Sequence, residues 1–378
     1  MGGLLGKIGF VFEDPYKRVK EEKSKGTKVI GISPMYFPQE LVHAANCLPV
    51  ILQASKEPIT LGYSHYYHFF CGVARGIVDL AARGKLDFLD GFILSDMCFE
   101  MRHVADPLGR LKRFPIVYMQ WPLEENEKRW KDFIIKGLQK CSCMLEKLTG
   151  EKITDKAVAE SVSLYNQNRA LLREIYRLRK TNPVIISAKH MSAVVISSMV
   201  MPVMESNKLL SELISAMKME KPPRKEGVKV HLSGHFCHEV KEGILDLVEN
   251  CGGIIVSDDL YTGLRYINSD VTLNGSYLEA FALRFLHKAI PCPTQVNRRL
   301  DWAEYVIDGV KKDGAEGVIM FLAKNCEPHM IAYPHVKRML ESSGVPHLLI
   351  EVEHEMVSTE GIRTRIQAFI EMLKEGRI

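Results

Sequence analysis

The sequence predicts an α/β protein with two flavodoxin- or Rossmann-like parallel-sheet domains and a helical segment between them. Three observations carry this. Short apolar runs alternate with helical periodicity over the first third of the chain. Helical spacing alone then occupies 123–220, and the alternation returns from about residue 228. Strands that alternate with helices build parallel sheets covered on both faces. The expected divisions are an N-terminal α/β domain over 1–122, a helical region over 123–220 and a C-terminal α/β domain over 221–378. The two α/β parts share an architecture without a clear sequence repeat.

In chain order, 28–33 reads as a strand, and Pro38 opens a helix to residue 45. Residues 48–52 form a second strand. Val73, Ile77, Leu80 and Ala81 make one helical stripe over 72–83. Strands follow at 92–94 and 116–119. Three-to-four-residue apolar spacing marks helices over 130–148, 155–179 and 203–217. Residues 221–227, rich in Pro and charge, read as a linker. Beyond it come a strand over 228–232, a helix over 240–249, and strands over 253–256, 317–321 and 347–351.

Composition bounds the function. Of 378 residues, 46% are apolar and 25% charged, enough for a sizeable core. A net charge of +4 argues neither for nucleic acid nor for an anionic membrane surface. The N-terminus lacks a secretory h-region, and the longest apolar stretch, 193–204, is interrupted by Ser197, Ser198 and Pro202. The expectation is a cytoplasmic protein that binds neither nucleic acid nor membrane. Nine cysteines, an odd number at wide spacing, argue against a disulfide framework. P-loop, G-x-G-x-x-G, H-E-x-x-H, C-x-x-C and G-x-S-x-G motifs are all absent from the sequence.

What remains is positional. Cys98 follows the last apolar residue of a strand by four residues, and Cys326 follows another by five. Cys71 stands at the start of a helix, and Cys237 again follows a strand. Ligands collect beyond the carboxyl ends of parallel strands, so a site between the two α/β parts would gather these cysteines. Thiolates suit zinc or an iron–sulfur cluster, and helix N-termini favour the thiolate form. The plainer reading of any single one is a small residue in a tight place. Cys141 and Cys143 point about 200° apart on a helix and read as packing. Cys47 and Cys251 read as core, and Cys292 as a loop residue.

Five segments then resemble one family: "MYFPQELVHAANCLPV", "CGVARGIVDLAARGKLDFLDGFILSDMC", "SDDLYTGLRY", "KNCEPHMIAYPHVKRMLESSGVPHLLIE" and "GIRTRIQAFIEML". In order and over nearly the whole chain, they are similar to the iron–sulfur catalytic subunits of the 2-hydroxyacyl-CoA dehydratase and benzoyl-CoA reductase family. "LSGHFCHE" and the 152–179 helix look closer to the smaller cluster subunit of benzoyl-CoA reductase. One departure is Ala45-Asn46-Cys47, where many members carry Ala-Ala-Gly.

The resemblance implies one [4Fe-4S] cluster held by Cys71, Cys98 and Cys326, with Cys237 a candidate fourth ligand. It implies a second homologous cluster subunit, an ATP-hydrolysing activator, a ferredoxin-type electron donor and an acyl-CoA substrate. The implied reaction is ATP-dependent ring reduction of an aromatic acyl-CoA. The alternative is dehydration of an (R)-2-hydroxyacyl-CoA through a ketyl radical. A non-catalytic electron-transfer or scaffold subunit is the other alternative, and a zinc protein would use the same cysteines. Radical reduction also needs protons, and histidines cluster near these cysteines. His68, His235 and His238 are the candidates for proton delivery. For any one of these, as for His65 and His103, the plainer reading is a solvated or hydrogen-bonded loop histidine. Arg102 and His103 follow Cys98 and would stand near an anionic cluster. Tyr36 and Gln39 are candidates for the substrate pocket. Asp258 and Asp259 read as capping residues, and Arg363 and Arg365 as exposed helix-start residues.

Overall fold

A computed structural model of the chain describes residues 1–53, 57–112, 114–122, 124, 126–220, 226–235, 243–287, 290–294, 301–355 and 358–376. The first sheet contains β1 (Lys28–Ile32), β2 (Cys47–Ile51), β3 (Gly91–Asp96) and β4 (Ile116–Gln120), in the order β2-β1-β3-β4. The second contains β5 (Val228–His235), β6 (Gly253–Asp258), β7 (Gly317–Ala323) and β8 (His347–Val352), in the order β6-β5-β7-β8. All pairings are parallel. The two sheets therefore share one winding, as the α/β expectation required.

The inner strands are apolar runs because helices cover both faces. All six residues of β3 are buried, whereas edge strand β4 leaves Ile116, Val117 and Tyr118 half-buried. In each sheet the chain leaves its first strand on one side and its third on the other. Crevices consequently open beyond the carboxyl ends of β1/β3 and of β5/β7.

Between the sheets run helices Glu127–Thr149, Asp155–Thr181, Ala188–Val200 and Val203–Met219. Three of them contain the spans expected from periodicity. The Ala188–Val200 helix does not declare itself in that way. Every residue from Met191 to Val200 is buried, so it has no polar face to set a 3.6-residue period. The helices Gly2–Ile8 and Lys17–Ser24 also lie outside the sequence expectations. No helix among the described residues is long and apolar enough to cross a membrane.

The chain crosses back after β6. Tyr261, Ile267, Phe281 and Phe285 bury themselves in the core of the first sheet and its helices, apart from the two clusters that flank the second sheet. The Met35 N–H donates to Tyr261 Oη over 3.2 Å, which fixes the β1 loop against this returning segment.

Asp258 and Asp259 act as local anchors, and neither is the N-cap of the helix that follows, which starts from Gly263. Asp258 accepts from the backbone N–H groups of Leu260 and Leu264, and Asp259 from Gly234 N, Ser233 Oγ and Trp302 Nε1. Residues 221–225 of the expected 221–227 linker, Cys237 and His238 lie outside the described residues.

Candidate metal centre

Cys71, Cys98 and Cys326 each occupy the N-cap of a helix: Gly72–Ala82, Phe99–Leu111 and Glu327–Ser342. The sequence expects the third strand to end at residue 94. Instead, β3 runs through Ser95 and Asp96, and a helix starts at Phe99 despite Pro107 inside it. Met101, Val104 and Leu108 bury one face of that helix, while Arg102 chelates the Asp96 carboxylate at 3.0 and 3.1 Å. Arg102, His103, Asp106 and Arg110 form its outer face, while Glu100 is buried.

All three cysteines line one cavity between the two halves, with an empty volume of about 680 Å³ including its mouth. Cys71 and Cys98 come from the first half, Cys326 from the end of β7. Apolar walls come from Pro34, Met97, Met101 and Val352. Helix N-termini meet there, and their N–H groups favour negative charge. Cys71 Sγ accepts from the Ala74 N–H at 3.5 Å.

Gly72 makes the approach of the halves possible. A Cβ there would stand 2.4 Å from the Cβ of His354, which follows β8. Glu355 ties the same loop down by accepting from the Ile59 N–H at 3.0 Å, with Arg75 Nη1 3.8 Å away.

Burial pushes the Cys71 thiol up to about 11, against the opposing pull of the Ala74 N–H. Burial raises Cys98 and Cys326 well above the ordinary thiol value, and Cys71 raises both further. Three thiols in mutual repulsion are protonated alone and become thiolates when a cation arrives. Among the described residues, no three His, Cys, Asp or Glu side chains converge tightly enough to hold a single metal ion. An iron–sulfur cluster asks for something different. Each thiolate binds a separate iron, so ligands stand around a cavity instead of converging on a point. The donor set and cavity fit such a cluster.

The histidines separate. His235 lines the cavity and stacks on His329, with ring centroids 4.5 Å apart and planes 15° apart. Burial, then His329 and Arg265, hold its imidazole well below the usual value. His68 is exposed and outside the cavity wall; its carbonyl accepts from Asn325 Nδ2 at 3.4 Å. His103 is exposed too, its ring against Phe99. Arg363 and Arg365 hold local partners, Glu360 and the Leu349 carbonyl.

The sequence missed three buried residues here. His329 Nδ1 lies 3.3 Å from Cys326 Sγ, and Arg265 Nη1 lies 3.3 Å from His329 Nε2 and 3.5 Å from Cys292 Sγ. The legible signal was Cys326-x-x-His329, since residues three apart share a helix face. Arg265 and Cys292 had no such signal, because only the fold brings them there.

A second cavity, of about 580 Å³ including its mouth, lies behind the β1 loop. Tyr36 and Gln39 line it with Tyr261, Arg265, Tyr266 and Arg284. Met35 and Tyr36 both adopt positive φ, 70° and 52°. Side chains of this size rarely adopt that conformation, and it costs of order 1–3 kcal/mol per residue. Pro34 lines the first cavity and Met35 and Tyr36 the second, so one strained loop divides them.

Residues 34–373 match the family model described as 2-hydroxyglutaryl-CoA dehydratase, D-component. A benzoyl-CoA reductase subunit of Thauera aromatica is 26% identical over 381 residues, covering 98% of both chains. The (R)-phenyllactyl-CoA dehydratase beta subunit of Clostridium sporogenes is 26% identical over 365 residues, 96% of both. The lactoyl-CoA dehydratase beta subunit of Anaerotignum propionicum is 28% identical over 373 residues, 98% of both. The family match runs from just after β1 through β8 and includes all three helix-capping cysteines, and the chain belongs to the 2-hydroxyglutaryl-CoA dehydratase D-component family.

Proposed function

We propose that the chain is the cluster-bearing subunit of an enzyme acting on acyl-CoA thioesters, with Cys71, Cys98 and Cys326 holding a [4Fe-4S] cluster. The observation that carries this is the meeting of three helix-capping cysteines around one cavity. When bound, the cluster supplies single low-potential electrons to the substrate.

The protein's own residues do the rest. Three N-caps hold the sulfurs and offset their negative charge. Met97, Met101 and Val352 exclude water from the cavity. His235 is the histidine candidate on the cavity wall. Burial keeps it neutral, so it acts as a relay, accepting a proton on one ring nitrogen and releasing one from the other. The strained loop at Met35 and Tyr36 orients the acyl group in the second cavity, where Gln39 and Arg265 offer polar contacts.

The first reading of the substrate is an aromatic acyl-CoA undergoing ring reduction. The full-length similarity to the benzoyl-CoA reductase subunit of Thauera aromatica supports it. Dehydration of an (R)-2-hydroxyacyl-CoA is the second reading, supported by equal or greater identity to dehydratase beta subunits. Either reading includes a second homologous subunit, an ATP-hydrolysing activator and a ferredoxin-type donor. The exposed, stacked rings of Tyr67 and Phe69, with Phe99 beside Cys98, are the surface assigned to the second subunit.

Anaerobic purification tests the centre: about four irons and four sulfides per chain are expected. Stoichiometric zinc without iron would overturn it. Turnover of benzoyl-CoA against an (R)-2-hydroxyacyl-CoA, with activator and ATP, then separates the two reactions.

A further inference from the structure

We infer that Arg265 fixes His329 as a hydrogen-bond donor to the Cys326 sulfur, and that this donor raises the reduction potential of the group Cys326 holds. This rests on the cluster reading above.

The argument begins with what each atom can do. A guanidinium has only donors. Arg265 Nη1 lies 3.3 Å from His329 Nε2, so Nε2 must be the acceptor. A histidine that accepts at Nε2 is neutral and carries its proton on Nδ1. Nδ1 faces Cys326 Sγ at 3.3 Å, so the bond there is N–H···S with histidine donating. One contact thus sets the direction of the next. The second hydrogen of Nη1 serves Cys292 Sγ at 3.5 Å.

The ring cannot easily turn away. His329 is fully buried, with His235 stacked on one side and Trp302 edge-on at 5.3 Å. Trp302 donates to Asp259 at 2.6 Å, and Asp259 lies 3.4 Å from Arg265 Nη2, so the ring wall and the cation share one carboxylate. His329 is also the third residue of the helix that Cys326 caps, which places its side chain over the cap.

The sign of the effect follows from charge. Each electron added to an iron–sulfur group places negative charge partly on its coordinating sulfurs. A donor aimed at one sulfur stabilises the reduced form, and such bonds are among the determinants of cluster potential. His329 is a positioning residue in this scheme, and Arg265 acts through it.

The test uses the anaerobic, iron-loaded chain in a mediator titration followed by electron paramagnetic resonance. Deuteron couplings at the cluster are measured after exchange into D2O. Parent protein that loads iron, and loses it in Cys326→Ala, establishes the underlying reading. His329→Leu should then shift the midpoint potential to more negative values and lose one exchangeable coupling. His329→Asn, whose amide nitrogen falls near the Nδ1 position, should restore both. His329→Gln, whose amide falls near Nε2, should not. If His329→Leu loads poorly, the Asn and Gln pair carries the test. An unchanged potential in His329→Leu, or equal potentials in the Asn and Gln variants, would overturn the inference while leaving the cluster reading intact. Failure of the parent to hold iron would overturn both.

Discussion

The two sheets share one strand order, and around the cavity the two halves differ at one helix start. In each sheet, the third strand is followed by a cysteine that caps the next helix: Cys98 after β3 and Cys326 after β7. The helix that precedes the third strand breaks the match. In the first half it is Gly72–Ala82, capped by Cys71. In the second it is Trp302–Asp313, capped by Asp301, whose Oδ1 accepts from Ala303 N at 2.7 Å and Glu304 N at 3.1 Å. An aspartate is among the best caps, and a thiol is a weak acceptor. The first half has given up capping strength where its helix faces the cavity. That is the pattern expected when a local preference yields to a site.

The strongest way to break the comparison is to remove the matched cysteines. Cys98→Ala and Cys326→Ala should each abolish most bound iron in an anaerobic preparation. Far-UV circular dichroism should stay close to the parent, because each side chain is a helix cap without a side-chain cap hydrogen bond. Retention of full iron by either variant would remove that residue from the ligand set.

The next prediction concerns the first helical residue, Gly72 in one half and buried Trp302 in the other. The new methyl of Gly72→Ala would meet His354 Cβ, which has no flexible end to swing away. Overpacking of this kind costs about 1–3 kcal/mol. Chemical denaturation should register the loss, and iron content should fall with it, because Cys71 moves away from the half that carries Cys326. A stable, iron-replete Gly72→Ala protein would show that the halves meet differently.

Seven residues along, the two helices differ again, with Asp79 against Gly309. Asp79 is fully buried and accepts from Thr60 N at 2.8 Å and Gly62 N at 2.9 Å, with Arg83 alongside. Burial alone would raise this carboxyl. The Gly62 and Thr60 N–H groups and Arg83 together outweigh it and hold the carboxyl below its ordinary 3.8. A depressed carboxylate stabilises the fold fully above its unfolded value and loses that contribution as pH falls through the native value. Asp79→Asn should therefore cost about 2 kcal/mol at pH 7, with the gap to the parent narrowing near pH 3. A gap that stays constant between pH 7 and pH 3 would count against the charge.

These particulars also explain what the sequence made legible. Strands β3 and β7 announce themselves as apolar runs, and the strand-end positions of Cys98 and Cys326 follow from them. Resemblance then narrowed the candidate cysteines to three. Arg265 could not be read, because its partners Cys292 and His329 are 27 and 64 residues away and meet it only through the returning segment after β6. The strain at Met35 and Tyr36 was hidden for a similar reason. Neither residue type prefers positive φ, and the contacts that hold the loop, such as Tyr261 Oη, come from the far half.

The smallest expected effect is the most direct test of why the two helix starts differ. If Cys71 exists for the centre and Asp301 for the fold, a reciprocal exchange should separate the two roles. Cys71→Ser installs a strong cap on the Gly72–Ala82 helix. The metal-free protein should be unchanged or up to about 1 kcal/mol more stable, while iron content falls. Asp301→Cys should do the reverse: the Trp302–Asp313 helix loses a cap worth about 1 kcal/mol, together with the ion pair to His335. Iron content stays at the parent level, because Asp301 is not part of the cavity wall. Stability measured without metal should therefore fall only in Asp301→Cys, and iron content only in Cys71→Ser. If Cys71→Ser destabilised the metal-free protein by as much as Asp301→Cys does, the thiol would be packing the helix start, and the difference between the halves would be structural.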